Sequence, residues 1–250
     1  YPFITHILAP GIDSETLDLD SVAEEMLGLN KDDLSWSEMK EIWETEKNLE
    51  KFAEYAMKDA DITFELGNEI TPQVMELSKI TGLIPFDSSR LTYGQLTENY
   101  LIREAYNRNM LTRNRPSQQK RSKRDREQAY TGGFVYTPEE GLYENVAVFD
   151  FRSLYPTVMV AHNISPDTLN LEGCENVFEL DEFDYNFCQD EQGFFPELVE
   201  NLVSSRYELK KEMKDLEKGS KEYKSIDNRQ QAQKILANSF YGYLGYSGVR

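Results

Sequence analysis

The chain has 250 residues, 45 Asp and Glu against 27 Lys and Arg, a formal net charge of −18 and 39% hydrophobic residues. No apolar run approaches the roughly 20 residues that span a bilayer, and two cysteines do not make the framework of a small secreted scaffold, so no membrane association and a reducing cytoplasm are expected. The acidity argues against a generic nucleic-acid binder, which spreads phosphate-contacting Lys and Arg over its surface, but does not exclude an enzyme that gathers cations in one groove and holds metal with carboxylates; most of the excess acid reads as solvated surface.

The sequence opens at Tyr1 with no signal peptide and stops at Arg250 behind a Gly/Tyr-rich stretch, so it reads as a piece of a longer protein. Residues 14–80 read as helices. Asp18 or Ser21 can cap the stretch VAEEMLGL. From Leu34 to Leu66, Trp43, Leu49, Phe52, Ala56 and Ile62 recur near helical spacing among Glu and Lys. The run Gly82–Phe86 breaks the pattern, and a further helix is predicted from Gln95 to Arg108. Between Arg113 and Arg126 lie seven basic residues with Pro116 and few apolar ones. That stretch is equally a solvated linker or a phosphate contact.

After a turn-prone Tyr130-Thr131-Gly132-Gly133, the segments Phe134–Tyr136 and Val146–Phe151 predict strands. In the second, Val146, Val148 and Asp150 share a face. A carboxylate ending an apolar strand is costly unless paired or metal-bound. Ser153 can then cap a helix with Pro156 in its first turn, and Ser165-Pro166 stops it. A cation ligand beside a helix N-terminus, whose free amides favour anions, suits a metal–triphosphate complex. From Gln192 to Tyr243 two helices are expected, broken at Gly219-Ser220, opened by Pro196 and closed by Gly242. Arg206 and Lys210 share a face of the first; Lys234, Asn238 and Tyr241 share a face of the second. Taken singly these lysines read as ordinary surface residues; the combined polar stripe does not.

Four elements in order carry a resemblance to family B (alpha-type) DNA polymerases of the archaeal replicative kind. Asp150-Phe151-Arg152-Ser153-Leu154-Tyr155-Pro156 resembles the first polymerase motif, D-x-x-S-L-Y-P. Lys234 to Gly242 is similar to the second, K-x-x-x-N-S-x-Y-G. Tyr130-x-Gly132-Gly133 resembles the Y-x-G-G element that joins the exonuclease and polymerase modules and touches DNA, and Tyr55-x-x-x-Asp59 the third exonuclease motif. The resemblance implies an α+β chain. Residues 1–80 would be the tail of an RNase H-like 3′→5′ exonuclease domain and 81–128 a connecting segment. Residues 129–195 would be a partial palm of antiparallel sheet with helices, 196–245 a two-helix antiparallel fingers hairpin, and 246–250 the start of the return to the palm.

By the same resemblance, the protein adds dNTPs to the 3′-hydroxyl of a primer on template DNA with two Mg²⁺ ions. Asp150 bridges the metals, the carbonyl of Phe151 helps to hold one, and Arg152 belongs to the nucleotide site. Amides near Ser153 and Leu154 cradle the triphosphate, and Tyr155 lies under the deoxyribose and rejects a 2′-hydroxyl. Arg206, Lys210 and Lys234 bind phosphates, Lys234 also protonating the leaving pyrophosphate, and Asn238 and Tyr241 line the nucleotide pocket. Asp59 ligates a further divalent metal of the proofreading site, with Tyr55 orienting water there. Cys174 and Cys188 stand where thermophilic archaeal members carry a disulfide; in a mesophilic cytoplasm they would be reduced neighbours, and they make a poor zinc site.

The remaining exonuclease motifs are expected before Tyr1 and the third polymerase motif, with its metal-binding Asp, after Arg250, so the chain alone is expected to be inactive. A sliding clamp and a nucleoid-associated cytoplasmic location complete the implied setting. The competing readings are a nuclease remnant and an acidic helical interaction module. The latter predicts that Arg206, Lys210 and Lys234 diverge, the polymerase reading that they converge toward Asp150.

Overall fold

The computed structural model describes residues 2–29, 34–127, 135–151, 153–180 and 184–249. A π-helical turn Ile4–Leu8 and a 3₁₀ turn Ala9–Gly11 precede α1 (Leu19–Leu27). Asp18 caps α1 by accepting the Ser21 amide at 2.9 Å, and Gly28 ends it at φ 65°. Hydrogen bonds from the Ser21 amide and the Thr16 hydroxyl lower the Asp18 pKa to about 2. Helix α2 (Trp36–Thr45) starts on a Ser35–Glu38 capping box. Helix α3 (Leu49–Thr81) runs through Pro72 and stops at Gly82, φ 74°, so it crosses the expected 80/81 boundary by one residue. The short α4 (Pro85–Ser88) leads to α5 (Tyr93–Asn107), which begins on a Thr92–Gln95 capping box.

The basic stretch is only partly a linker: α6 spans Gln118–Glu127. Arg115 pairs with the buried Glu98, and Arg124 Nη1 donates to the carbonyls of Ser247 and Val249 at 3.1 and 3.0 Å. These two cations therefore have partners within the chain.

The strand expected at Val146–Phe151 does not form. Residues 135–151 carry no regular structure, and Val146, Val148, Phe149 and Phe151 are exposed. Strand character needs a neighbouring strand to take its backbone groups, and no described residues pair with this segment. Asp150 is consequently exposed rather than held at an apolar strand end. Val135 and Tyr136 are likewise irregular, and Phe134 lies outside the described residues.

Helix α7 (Leu154–Ala161) follows, with Pro156 buried in its first turn. Ser153 precedes it at φ 51° and makes no side-chain cap. A capping Ser usually has extended backbone, and the left-handed turn at Ser153 denies it that role. The helix ends before Ser165-Pro166, at His162. Strands β1 (Val177–Leu180) and β2 (Tyr185–Cys188) form an antiparallel hairpin with Val177 opposite Cys188. Helices α8 (Phe194–Glu212) and α9 (Lys221–Leu244) form the expected antiparallel hairpin, with Ser220 capping α9. Pro196 sits in the first turn of α8, and α9 runs two residues past Gly242.

The main core gathers Val74 and Leu77 of α3, Leu96, Tyr100 and Leu101 of α5, Met159 of α7, and the inner faces of α8 and α9 around Leu198, Val199, Leu236 and Phe240. Phe240 meets Tyr100 and Phe195 edge-on, at 6.2 and 5.9 Å between centroids. A second cluster joins Ile4, Val22 and Ala23 to Ile62 and Leu66 of α3. Trp43, by contrast, is exposed and tilts against Phe52 at 6.1 Å, so its helical spacing does not mark a core position. No helix among the described residues is long and apolar enough to cross a membrane.

Candidate active site

The polar stripe of the α8–α9 hairpin faces the chain segment that precedes α7. Between them lies a cleft of about 550 Å³. Asp150, Phe151 and Ser153 line one side, Arg206 and Lys210 of α8 and Lys234 and Asn238 of α9 the other. Arg206 and Lys210 are one helical turn apart, as are Lys234 and Asn238, so each helix presents one edge to the cleft. The sequence-predicted cations thus converge with Asp150 on one space.

Arg206 is oriented from below. Its Nε donates to Gln230 Oε1 at 3.0 Å, and Gln230 Nε2 donates to Asp227 Oδ1 at 2.6 Å. Gln230 is only 4% exposed. A second tie between the helices runs from Gln233 Nε2 to Ser205 Oγ at 2.7 Å. The sequence reading missed Gln230, although its place one turn before Lys234 was a usable signal. It also missed Tyr207 and Glu208, which line the cleft with Arg206; position alone does not separate them from a solvated face.

Tyr155 and Tyr241 do not line the cleft itself. Their rings stack on one another, 4.1 Å apart and 13° from parallel, about half exposed. Leu154, on α7, is 42% exposed and also lies off the cleft lining. Arg152, Tyr130, Gly132 and Gly133 are outside the described residues. Tyr55 and Asp59 sit half-buried one turn apart on α3; the structure does not bring them to the cleft.

A larger cavity of about 1230 Å³ lies on the other flank of α9, between α3, α5 and the chain end, and shares Lys234 and Asn238 as lining. Arg115 and Arg121 reach it from the basic stretch. The hydrogen bond and charge of Glu98 raise the pKa of Arg115 above its ordinary value. Cys174 and Cys188 form a disulfide rather than reduced neighbours. With Asp190 they are the one three-donor cluster among the described residues, but the sulfurs are spent on each other. Asp190 accepts the Glu175 and Asn176 amides at 2.8 and 3.0 Å, which lowers its pKa.

The model of DNA polymerase family B matches residues 88–250. A DNA polymerase of Pyrococcus glycovorans is 44% identical over 245 residues, covering 98% of this chain and 31% of that protein. A DNA polymerase of Thermococcus gorgonarius is 44% identical over 243 residues, 96% of this chain and 30% of the relative. The solved family B DNA polymerase of Pyrobaculum calidifontis superposes with a TM-score of 0.80 at 30% identity, over 99% of this chain and 32% of that one. The chain thus spans about a third of the length of the proteins it matches. Motif order, the converging cleft, the family match and the superposition agree, and the chain belongs to DNA polymerase family B.

Proposed function

We propose that the chain is part of a DNA-directed DNA polymerase that adds dNTPs to the 3′-hydroxyl of a primer on a DNA template. The observation that carries this reading is the single cleft lined both by Asp150 with Phe151 and by Arg206, Lys210 and Lys234. A nucleoside triphosphate needs cations for its phosphates and an oxygen ligand for its metal, and the two donor types face one another here. An acidic interaction module has no use for three cations and a carboxylate gathered on one cleft.

The exposed carboxylate of Asp150 and the main-chain carbonyl of Phe151 are hard oxygen donors of the kind Mg²⁺ takes, and Mg²⁺ is commonly held by one or two carboxylates plus substrate phosphates. They fit the metal and would hold it. The two ions of such a site, when bound, would align the hydroxyl with the α-phosphate and neutralise charge on the leaving group. The protein's own groups do the rest. Arg206, its Nε donating to Gln230, brings a guanidinium charge to the phosphates from the cleft wall. Lys210 adds a point charge. Lys234 stabilises charge that develops on the phosphates and donates a proton to the departing pyrophosphate. Ser153 makes no side-chain cap, so its hydroxyl does not compete for the amides near Ser153 and Leu154, which cradle the triphosphate. Tyr155, backed by Tyr241, forms the floor under the deoxyribose, and Asn238 lines the nucleotide pocket.

We assign 1–80 to the exonuclease domain, 81–128 to the connection, 129–195 to the palm and 196–245 to the fingers. Asp59 and Tyr55 belong to the proofreading site. Asp59 is the one carboxylate assigned to that site here, so 3′→5′ digestion is a property of the protein at the relatives' length, as is engagement of a sliding clamp in the cytoplasm. The test is primer extension and single-strand digestion with Mg²⁺, using the 250-residue chain and a version extended at both ends to that length. The reading predicts silence from the first and both activities from the second. Silence from the extended protein would overturn it.

A further inference from the structure

The start of α8 is held by a different part of the chain. Three consecutive amides at its root each find a side chain in the loop that follows α7. Gly193 N donates to Asn163 Oδ1 at 2.8 Å, Phe194 N to Asp167 Oδ2 at 3.0 Å and Phe195 N to Ser165 Oγ at 3.2 Å. Helix N-termini leave such amides unpaired, and a residue at the cap normally serves one of them. Here the cap is Gly193, which has no side chain to offer, and a loop distant in sequence serves all three.

The loop is itself locked. Asn163, 6% exposed and at φ 50°, donates from Nδ2 to the carbonyls of Cys188 at 2.6 Å and Glu191 at 2.8 Å. The Ser165 hydroxyl donates to Asp167, and Thr168 Oγ1 donates to the Asn163 carbonyl at 2.6 Å. The fit is close: a Cβ on Gly193 would come within 2.8 Å of Ser165 Cβ and Thr168 Cγ2. Asn163, Ser165 and Thr168 are buried and Asp167 closes the network at the surface; a polar network whose buried members are satisfied favours one arrangement of its elements.

We infer that Asn163, Ser165 and Asp167 form a socket for the root of α8 and act as positioning residues for Arg206 and Lys210. The inference rests on the polymerase reading above. The socket joins the two sides of the cleft along the chain: α7, which follows Asp150 and Ser153, leads into it, and α8 rises out of it. Arg206 stands 13 residues beyond Gly193 in sequence, or about 20 Å up the helix axis. A tilt of about 5° at the root moves Arg206 by roughly 1.7 Å over that lever arm. Misplacement of about 1 Å in a catalytic constellation is enough to cost on the order of 100-fold in rate. No socket residue lines the cleft, so the effect is transmitted through the helix.

The test pairs Asp167→Ala with Asp167→Asn, because Asn retains a carbonyl oxygen for the Phe194 amide and an N–H group for the Ser165 hydroxyl. In the polymerase at the relatives' length, single-turnover incorporation gives the maximal rate and the apparent dNTP affinity, and a binding titration gives the primer–template affinity. Hydrogen exchange of the 250-residue chain reports the amides of Gly193, Phe194 and Phe195. Asp167→Ala should speed exchange at these amides and lower the ratio of rate to dNTP Kd by about 10- to 100-fold, with primer–template affinity unchanged. Asp167→Asn should restore most of that ratio. Faster exchange at the root with wild-type incorporation by Asp167→Ala would overturn the positioning role, as would unchanged exchange. An equal loss in both variants would also overturn it, because it would tie the effect to charge instead of the hydrogen bonds. If the wild-type protein at full length does not extend a primer, the polymerase reading falls first and takes this inference with it.

Discussion

Phe240 tests whether the core holds the rotational setting of α9. Its ring is 0% exposed and meets Tyr100 at 73° and Phe195 at 89°. Truncation to Ala should cost about 3–5 kcal/mol for the lost transfer energy and the cavity. A Phe240→Leu substitution keeps most of the buried surface and loses both edge-to-face pairs, each worth about 0.5–1.5 kcal/mol, for a total of about 1–3 kcal/mol. Against a typical net stability of about 5–15 kcal/mol, either loss is readily measured. Urea unfolding of the chain followed by far-UV circular dichroism gives the values, since Trp36 and Trp43 are both exposed and sit far along the chain from this cluster. A double-mutant cycle with Tyr100→Leu isolates the Tyr100–Phe240 pair, with an expected coupling of about 0.5–1.5 kcal/mol. A Phe240→Leu loss below about 0.5 kcal/mol, or additivity within about 0.3 kcal/mol, would refute the reasoning. It would mean that the aromatic cluster does not determine which face of α9 turns Lys234 and Asn238 toward the cleft.

In the polymerase at full length, Tyr155→Gly should raise the ratio of kcat/KM for rNTP over dNTP, because the ring stacked on Tyr241 is removed from under the sugar; an unmoved ratio would leave Tyr155 a packing residue. Lys234→Ala should raise KM for dNTP and lower kcat together, as expected for a contact that strengthens in the transition state; a change confined to DNA affinity would assign the lysine to the template. For pH, burial of Tyr100, aided by the Glu104 charge, raises its pKa to about 12. A raised pKa contributes stability that is complete below the unfolded value near 10 and fades as pH climbs through 12. Tyr100→Phe should therefore flatten the alkaline fall in urea midpoint between about pH 10 and 12, and identical profiles for the two proteins would contradict the assignment.

The helices were legible where local chemistry decides. Asp18, Ser220 and Gly82 mark ends that need no tertiary knowledge, and the polar spacing of Arg206 and Lys210 and of Lys234 and Asn238 marked a face that does turn to one cleft. The segment Val146–Phe151 was misread because alternation reports which faces a strand would have, not whether a partner strand is present to pair with it. The α8 root was invisible for a related reason. Asn163, Ser165 and Asp167 look like an ordinary polar turn, and only the fold brings Gly193 to within a Cβ's width of it. Trp43 shows that spacing reports a helix and not burial: it lies on α2 as expected, yet remains at the surface. Gln230 could be placed on the Lys234 face by its spacing, but its burial and the Arg206 Nε that it meets are visible only in the fold.

The account stands most directly on Asp150. In the polymerase at full length, Asp150→Asn removes the carboxylate charge from the cleft and leaves its shape. Single-turnover nucleotide incorporation with Mg²⁺, measured beside primer–template binding by the same protein, separates chemistry from DNA affinity. The account predicts that incorporation falls by several orders of magnitude while primer–template binding holds. Incorporation by Asp150→Asn at the wild-type rate would contradict it, and with it the assignment of this cleft as the site of DNA synthesis.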